Sequence, residues 1–317
     1  MNMNNSELLF LYDAQLANPN GDPDDENRPR MDYQARRNLV SDVRLKRYIR
    51  DYLQDAGHEL YVAQPRQGEV VTAEKRLQSV LGGKKPTVKD LPTILDQLID
   101  IRLFGATMPI KGEGSGGGSS IQVTGPVQFT WGYSLNHVDL VNSYTISSRF
   151  SSQDEKSQGT FGKDYRVYYS LLAFAGVVSG KRAEFSRLTE ADLTWLDQAL
   201  VEAIPLQTTR SKIGQYPRLY VRVEYADDRT VLGDWRELLD LEEKENLRSS
   251  ADVRLRVDRL VTRIAQERTR IAAVHVWQHP DFRVWQGTES VRLADAIHEV
   301  AVGLVVPVET GMKAGAQ

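Results

Sequence analysis

Between residues 6 and 60 the apolar positions change their spacing twice. Ser6 to Leu16 is a nearly unbroken apolar run, SELLFLYDAQL, and predicts a strand buried on both faces. Asn18 to Arg30 is polar and punctuated by Gly21, Pro19, Pro23 and Pro29, which predicts a loop. From residue 42 the apolar positions return at helical spacing. With Ser41 as N-cap and Asp42 in the first turn, Leu45, Tyr48, Ile49, Tyr52, Leu53 and Ala56 share one face of a helix over 42–56.

The same reading continues along the chain. Residues 60–100 are mixed, with a turn at Gly82-Gly83 and Pro86, and a helix is predicted over Leu91 to Arg102. Phe104 to Ile110 reads as extended, and Gly112 to Ser120 as a Gly/Ser loop, flexible by composition. Ile121 to Leu135 and Asp139 to Ser147 alternate as a pair of strands, and Arg149 to Lys163 is a polar excursion. Tyr165 to Val178 is apolar enough for a central strand. Thr189 to Ile204 is an amphipathic helix capped by Thr189, Leu219 to Tyr225 a strand, Val253 to Trp277 strand–helix–strand, and Val291 to Val302 a last helix. Helices inserted between antiparallel-looking strands give an α+β class, and no repeat of 20 to 50 residues appears.

Charge sharpens the picture at one place. The chain is nearly neutral, with a net charge of −3, yet Arg28 to Arg50 holds eight Lys/Arg against two Asp, while residues 1–27 hold six acids and no base. Such a local patch is an anion-binding footprint. On the predicted helix Lys46, Arg47 and Arg50 form a stripe beside the apolar face, read as free of acidic partners at i−4, with Asp51 and Asp55 further round. Ser41 would set open backbone N–H groups beside these cations, where a phosphate could sit. Arg210, Lys212, Arg218 and Arg222 make a second basic cluster, equally readable as a solvated strand edge or as a second phosphate or neighbour-subunit contact.

Other chemistries find little footing. There is no cysteine, which excludes disulfides, Cys-ligated zinc and thiol nucleophiles and fits a reducing cytosol. The polar start MNMNNSE does not read as a signal peptide, and no apolar run approaches the roughly 20 residues that cross a bilayer. Gly112 to Gly117 fits G-x-G-x-x-G by letter but leads into a strand pattern, not a helix. His275 and His279, four apart on a predicted strand, would lie about 13 Å apart and not share a metal. Asp22, Asp24, Asp25 and Glu26 could be a metal-binding nuclease loop. The favoured reading is a solubilising turn whose acids pair with Arg28 or Arg30.

NPNGDPDDENRPR followed by NLVSDVRLKRYIRDYL resembles the CRISPR Cascade backbone subunit family, the guide-RNA-binding proteins numbered seven among CRISPR-associated proteins, in their subtype I-B-like form. RLFGATMPIKG (102–112), TGPVQFTWGYSLNHV (124–138), GTFGKDYRVYYSLLAFAGVV (159–178) and TTRSKIGQYPRLYVRV (208–223) agree with it in the family's order. The resemblance implies one elaborated domain over 1–317: a modified RRM-like (ferredoxin-like) palm, an inserted finger segment at 57–101, the loop 111–120 and a thumb hairpin at 145–165. It implies a non-catalytic, cytoplasmic subunit that lines up in several copies along a CRISPR RNA and presents it to target DNA. Further partners implied are a large PAM-sensing subunit, guide end-capping and processing subunits and a recruited helicase-nuclease, with no cofactor and no membrane. Related subunits of other CRISPR types cut RNA from an acidic loop after the first strand, so Asp22 to Glu26 keeps a cleaving alternative open. The expected RNA contacts are Ser41, Asp42, Arg44, Lys46, Arg47 and Arg50, then Gly112, Gly125, Pro126, Arg149, Phe150, Phe161, Lys163 and Tyr165, with Arg210 and Lys212 from the second basic cluster. No RNP-type aromatic signature is present, which favours gripping the backbone over reading bases.

Overall fold

A computed structural model describes residues 3–64, 71–109, 120–142, 145–148, 160–242 and 244–311. β1 (Ser6–Ala17) leads through the short strands β2 (Gly21–Asp22), β3 (Arg28–Pro29), β4 (Met31–Asp32) and β5 (Arg37–Val40) into α1 (Asp42–Asp55). Helices α2 (Ala73–Val80), α3 (Leu91–Gln97) and α4 (Ile99–Phe104) follow. Seven strands come next: β6 (Gly105–Met108), β7 (Ile121–Thr124), β8 (Val127–Phe129), β9 (Gly132–Ser134), β10 (Thr145–Ser148), β11 (Thr160–Lys163) and β12 (Val167–Val178). The remainder is α5 (Gly180–Ser186), α6 (Glu190–Glu202), β13 (Gln215–Tyr225), β14 (Asp240–Leu241), β15 (Leu255–Arg256), α7 (Asp258–Glu267), β16 (Ile271–Gln278), β17 (Val284–Gln286), β18 (Glu289–Val291), α8 (Leu293–Val300) and β19 (Val305–Pro307).

The main sheet runs β19-β16-β13-β1-β12-β9-β5-β4, with β8 also paired to β12. β1 is antiparallel to both neighbours, with Phe10 opposite Phe174 on β12 and Tyr220 on β13. Its continuous apolar run has a simple cause: both faces are covered. Leu8, Phe10 and Tyr12 pack with α1 and α6, whereas Leu9 and Leu11 pack with α7, α8 and the segments around Trp235 and Phe282. A β-strand turns alternate side chains to opposite faces, so a strand covered twice needs apolar residues at every position. A smaller cluster of Leu77, Ile94, Leu95, Leu98, Ile101 and Met108 joins α2, α3 and α4 to β6.

Buried polar groups in the sheet are matched. Glu7 accepts hydrogen bonds from Trp235 Nε1 at 2.9 Å, from the backbone N–H of Leu232 and Gly233, and from the hydroxyl of Tyr225. Asp197 on α6 takes the Arg222 guanidinium at 2.7 Å and the Tyr220 hydroxyl at 2.6 Å, fixing the helix to β13. α6 is capped by Thr189 as its sequence predicts, and Asp192 completes a reciprocal capping box with it.

Three elements depart from the sequence reading. The strand expected over 121–135 is three: β7 pairs with β6, while β8 and β9 pair with β12. Gly125 and Pro126 make the break, since proline offers no N–H to a ladder. The expected partner at 139–147 does not pair with it. Leu140 bridges Val167, and β10 pairs with β11. The helix over 91–102 is two, parted at Leu98, whose ψ of 94° is extended.

Candidate nucleic-acid interface

Ser41 precedes α1 with extended backbone, as an N-cap should, yet its side chain does not cap. Its N–H and Oγ both donate to Asn20 Oδ1 at 2.9 Å, which ties the start of the helix to the loop after β1. The predicted apolar face is in place, with Leu45, Tyr48, Ile49, Tyr52 and Leu53 all buried.

The cationic stripe is not free, which corrects the expectation. Lys46 Nζ lies 3.1 Å from Asp42 and 3.0 Å from Gln128 Oε1. Arg47 pairs with Asp51. Arg50 Nε donates to Asp100 at 3.0 Å and its guanidinium lies over the Phe104 ring at 5.1 Å. Asp42 stands four residues before Lys46, the favourable order for a helix pair, so it neutralises the cation it was expected to accompany. Asp100 arrives from α4, and no helical wheel of α1 could display it. The Lys46 and Arg50 side chains are only 11% and 13% exposed, so both serve chiefly to hold α1 against the elements beside it.

A different set of cations borders the segment that leaves β1. The Arg44 guanidinium lies 4.1 Å from the centre of the Tyr48 ring and has no carboxylate partner among the described residues. Lys212 Nζ donates to the carbonyls of Asn18 at 2.5 Å and Pro19 at 3.1 Å. Burial, aided by the charge of Arg44, lowers this amine to about 7. Lys163 Nζ reaches Glu26 at 2.6 Å and the Tyr165 hydroxyl donates to the same carboxylate at 2.7 Å. These bonds hold Glu26 below the usual carboxylate range. Arg210 and Arg166 both pair with Asp164 at 2.9 Å, and Arg166 also donates to the carbonyl of Leu16 at 2.6 Å. Ser41, Arg44, Lys163, Tyr165, Arg210 and Lys212 thus gather around residues 16–28.

The other expected contacts fall elsewhere. Gly125 and Pro126 are buried, and a Cβ on Gly125 would stand 2.2 Å from the Phe104 carbonyl carbon, so this glycine serves close backbone packing. Gly112, with the rest of the Gly/Ser stretch to residue 119, Arg149, Phe150 and the side chain of Phe161 lie outside the described residues; the backbone of Phe161 pairs with Ser147 in the β10–β11 hairpin. Of the second basic cluster, Arg222 is buried on Asp197 and Arg218 is held 2.8 Å from buried Asp13, so neither is a strand-edge cation. In the acidic loop Asp22 pairs with Arg30 at 3.0 Å, while Asp25 and Glu26 each lie 3.7 Å from Arg28. Among the described residues no three His, Cys, Asp or Glu group closely enough to hold a metal ion. Sequence reasoning placed Glu26 in the acidic loop beside Arg28 but missed its link to Lys163, and it missed Asn20, Gln128, Asp100, Asp164 and Arg166 as members of these clusters. Of these only Asp164 carries a local cue, as an acid between Lys163 and Arg166.

Cations from α1, from β11 and from the segment before β13 thus border the loop after β1 in a mixed α/β fold. The family model for CRISPR-associated protein Cas7 matches residues 4–258. A CRISPR-associated protein Cas7 of Haloferax volcanii is 37% identical over 94% of this chain and 96% of its own length. The chain belongs to the Cas7 family of CRISPR-associated proteins. Its fold is shared with a chain of a CRISPR RNA-guided surveillance complex in a pre-nicking state, at a TM-score of 0.50 and 11% identity, over 94% of this chain and 99% of that one. No helix of the described residues is long and apolar enough to cross a membrane.

Proposed function

We propose that this chain is a guide-RNA-binding backbone subunit of a type I CRISPR interference complex, non-catalytic and cytoplasmic. The observation that carries the reading is the family match along nearly the whole chain. Copies would line up along one CRISPR RNA and present it for pairing to target DNA, in company with PAM-sensing, end-capping and processing subunits and a recruited helicase-nuclease. The sheet order β13-β1-β12-β8, with every neighbour antiparallel and α1 and α6 packed on one face, supports an RRM-like palm. The opposite face, which an ordinary RRM offers to bases, is covered here by α7 and α8. RNA is therefore gripped at the end of the sheet, around residues 16–28, through its phosphates. The β10–β11 hairpin fits the base of a thumb within 145–165, and α2 and α3 fit a finger within 57–101, though their small core runs on through α4 to Met108.

Phosphate contacts carry no base information, so unrelated unstructured guides of one length should bind with similar affinity. Two measurements test this. Protein purified from its host complex should carry a uniform short RNA, read from the 260/280 nm absorbance ratio and sizing of the extract. The salt dependence of binding to single-stranded RNA should fall by about 0.7 in log–log slope for each contacting cation replaced. Nucleic acid absent from the native complex, or a hundredfold preference between two guides, would sink the proposal.

A further inference from the structure

One acid of the loop after β1 reaches across to the β10–β11 hairpin. Glu26 Oε1 takes Lys163 Nζ at 2.6 Å and its Oε2 accepts the Tyr165 hydroxyl at 2.7 Å, from residues 137 and 139 positions further along the chain. Arg28 closes the group: its guanidinium lies 3.7 Å from the same carboxylate and 4.7 Å from the centre of the Tyr165 ring. The backbone that presents Glu26 is uncommon. Glu26 and Asn27 have φ of 48° and 62°, in the left-handed region that a glutamate rarely enters. Three hydrogen bonds fix the turn: Asn27 N–H to the Asp22 carbonyl at 2.7 Å, Arg28 N–H to the Asp25 carbonyl at 2.8 Å, and Asn18 Nδ2 to the Asn27 carbonyl at 2.8 Å. The loop thus sustains an unfavourable conformation whose product is a carboxylate delivered to Lys163, Tyr165 and Arg28.

The link is built to give way. Lys163 and Glu26 are 49% and 51% exposed, and an ion pair so open to water is weak, unlike the buried Arg222–Asp197 pair that anchors α6. A carboxylate also shares with a phosphodiester one negative charge spread over two oxygens, so Glu26 engages the donors that a phosphate could use. We infer that Glu26 is an autoinhibitory latch: in the RNA-free protein it ties the hairpin to the loop after β1 and occupies Lys163, Tyr165 and Arg28 until RNA displaces it. The inference rests on the guide-binding reading above and adds a built-in competitor to it.

The test is the affinity of the full chain for an unstructured single-stranded RNA of fixed length, at constant pH and salt, together with amide hydrogen exchange of the RNA-free protein. Three variants separate the latch from its charge. Glu26→Gln removes the charge at constant size. Glu26→Asp keeps the charge, falls one methylene short of the hairpin and suits a left-handed backbone better. Asp25→Asn removes an equal charge next door, from a side chain 3.7 Å from Arg28. Both Glu26 variants should bind RNA about two- to fivefold tighter than wild type, the scale of one exposed pair, and the amides of Thr160–Lys163 should exchange faster in both. Asp25→Asn should shift affinity less and leave those amides at the wild-type rate. Tighter binding by Glu26→Gln with wild-type binding by Glu26→Asp, or an equal gain in Asp25→Asn, would reduce the effect to net charge and overturn the latch. Unchanged or weaker binding by both Glu26 variants overturns it, as does either tighter binding or faster exchange without the other. In each of those cases wild type still binds RNA and the guide-binding reading stands. If neither wild type nor any variant binds RNA, that reading itself fails, and the latch with it.

Discussion

Arg50→Ala separates a strut from a phosphate contact. Arg50 meets Asp100, whose side chain is 1% exposed and which also accepts the backbone N–H groups of Tyr61 at 2.7 Å and Val62 at 3.0 Å. Removing the guanidinium leaves a buried carboxylate with two donors instead of three. Breaking a buried pair costs about 3–5 kcal/mol, and the two surviving bonds place this case near the low end, about 3 kcal/mol. Loss of the guanidinium over Phe104 adds about 0.5–1 kcal/mol. That sum is a large share of the roughly 5–15 kcal/mol that holds a domain folded. Arg47→Ala is the control: its i,i+4 pair with Asp51 is partly exposed and is worth about 0.3–0.5 kcal/mol. The assay is urea unfolding of RNA-free protein at fixed pH, comparing midpoints at unchanged m-value. Arg50→Ala should fall far below wild type and Arg47→Ala stay beside it. At a temperature where both variants are folded, the salt slope for RNA should be unaltered by Arg50→Ala. Wild-type stability combined with a slope reduced by about 0.7 would refute the strut and restore Arg50 as a phosphate contact.

Asp197→Ala strips Arg222 and Tyr220 of their buried partner and should cost about 3–5 kcal/mol, seen as a drop of several degrees or more in Tm; an unchanged Tm would contradict the anchoring of α6 on β13. Glu26→Gln should leave global unfolding unchanged but speed protease nicking in the 145–163 hairpin, because Lys163 and Tyr165 lose the carboxylate that pins them. Glu26 is depressed in the folded protein, so that clamp is fully present above the ordinary glutamate range and is lost as pH falls below that range, through the lower value of the folded state. Lys212 is shifted the other way from a strengthened lysine: its folded value of about 7 lies below the unfolded value of roughly 10.4, so RNA-free stability should rise with pH between them, and Lys212→Met should shrink that rise. RNA or DNA paired to the bound guide should stay intact with Mg²⁺ or Mn²⁺; regular cuts that vanish on Asp22→Ala or Asp24→Ala would turn the acidic loop from ion pairing to chemistry.

What could be read in the chain divides by the range of the interaction that decides it. α1, α6 and the long strands β1, β12 and β13 are set by local periodicity and end signals, and they stand within a few residues of where the apolar pattern puts them. The partners of the short strands are set by ladders between distant segments, and no local pattern encodes them, which is why 121–135 splits three ways. The interface divides in the same manner. A helical wheel shows that Lys46, Arg47 and Arg50 share a stripe, and it is blind to Asp100 fifty residues away, the residue that turns Arg50 into a strut. It should have shown Asp42 under Lys46, since both are on the one helix.

The cations left without carboxylates follow from this division rather than from charge density. Density pointed to the whole stretch from Arg28 to Arg50, yet folding pairs six of its eight cations with acids, all but one of those pairs reaching outside the stretch. Asp25 and Glu26 lie by Arg28, Asp22 meets Arg30, Asp139 meets Arg36, Asp42 meets Lys46, Asp51 meets Arg47 and Asp100 meets Arg50, while Arg37 donates to the Ser134 carbonyl. Every acid spent on a neighbouring base removes that base from the set a phosphate can attract cheaply, because the ligand must then displace a pair already formed. Arg44 escapes because Tyr48, four residues on, offers it a ring and not a carboxylate. Lys212 escapes because the chain around it turns backbone carbonyls toward it. A carbonyl holds an ammonium in place without cancelling its charge, so the geometry is fixed while the demand for an anion remains. Orientation without neutralisation is what the proposed grip on RNA phosphates would ask of the cations where β1 gives way to the loop that α1 and the segment before β13 both touch.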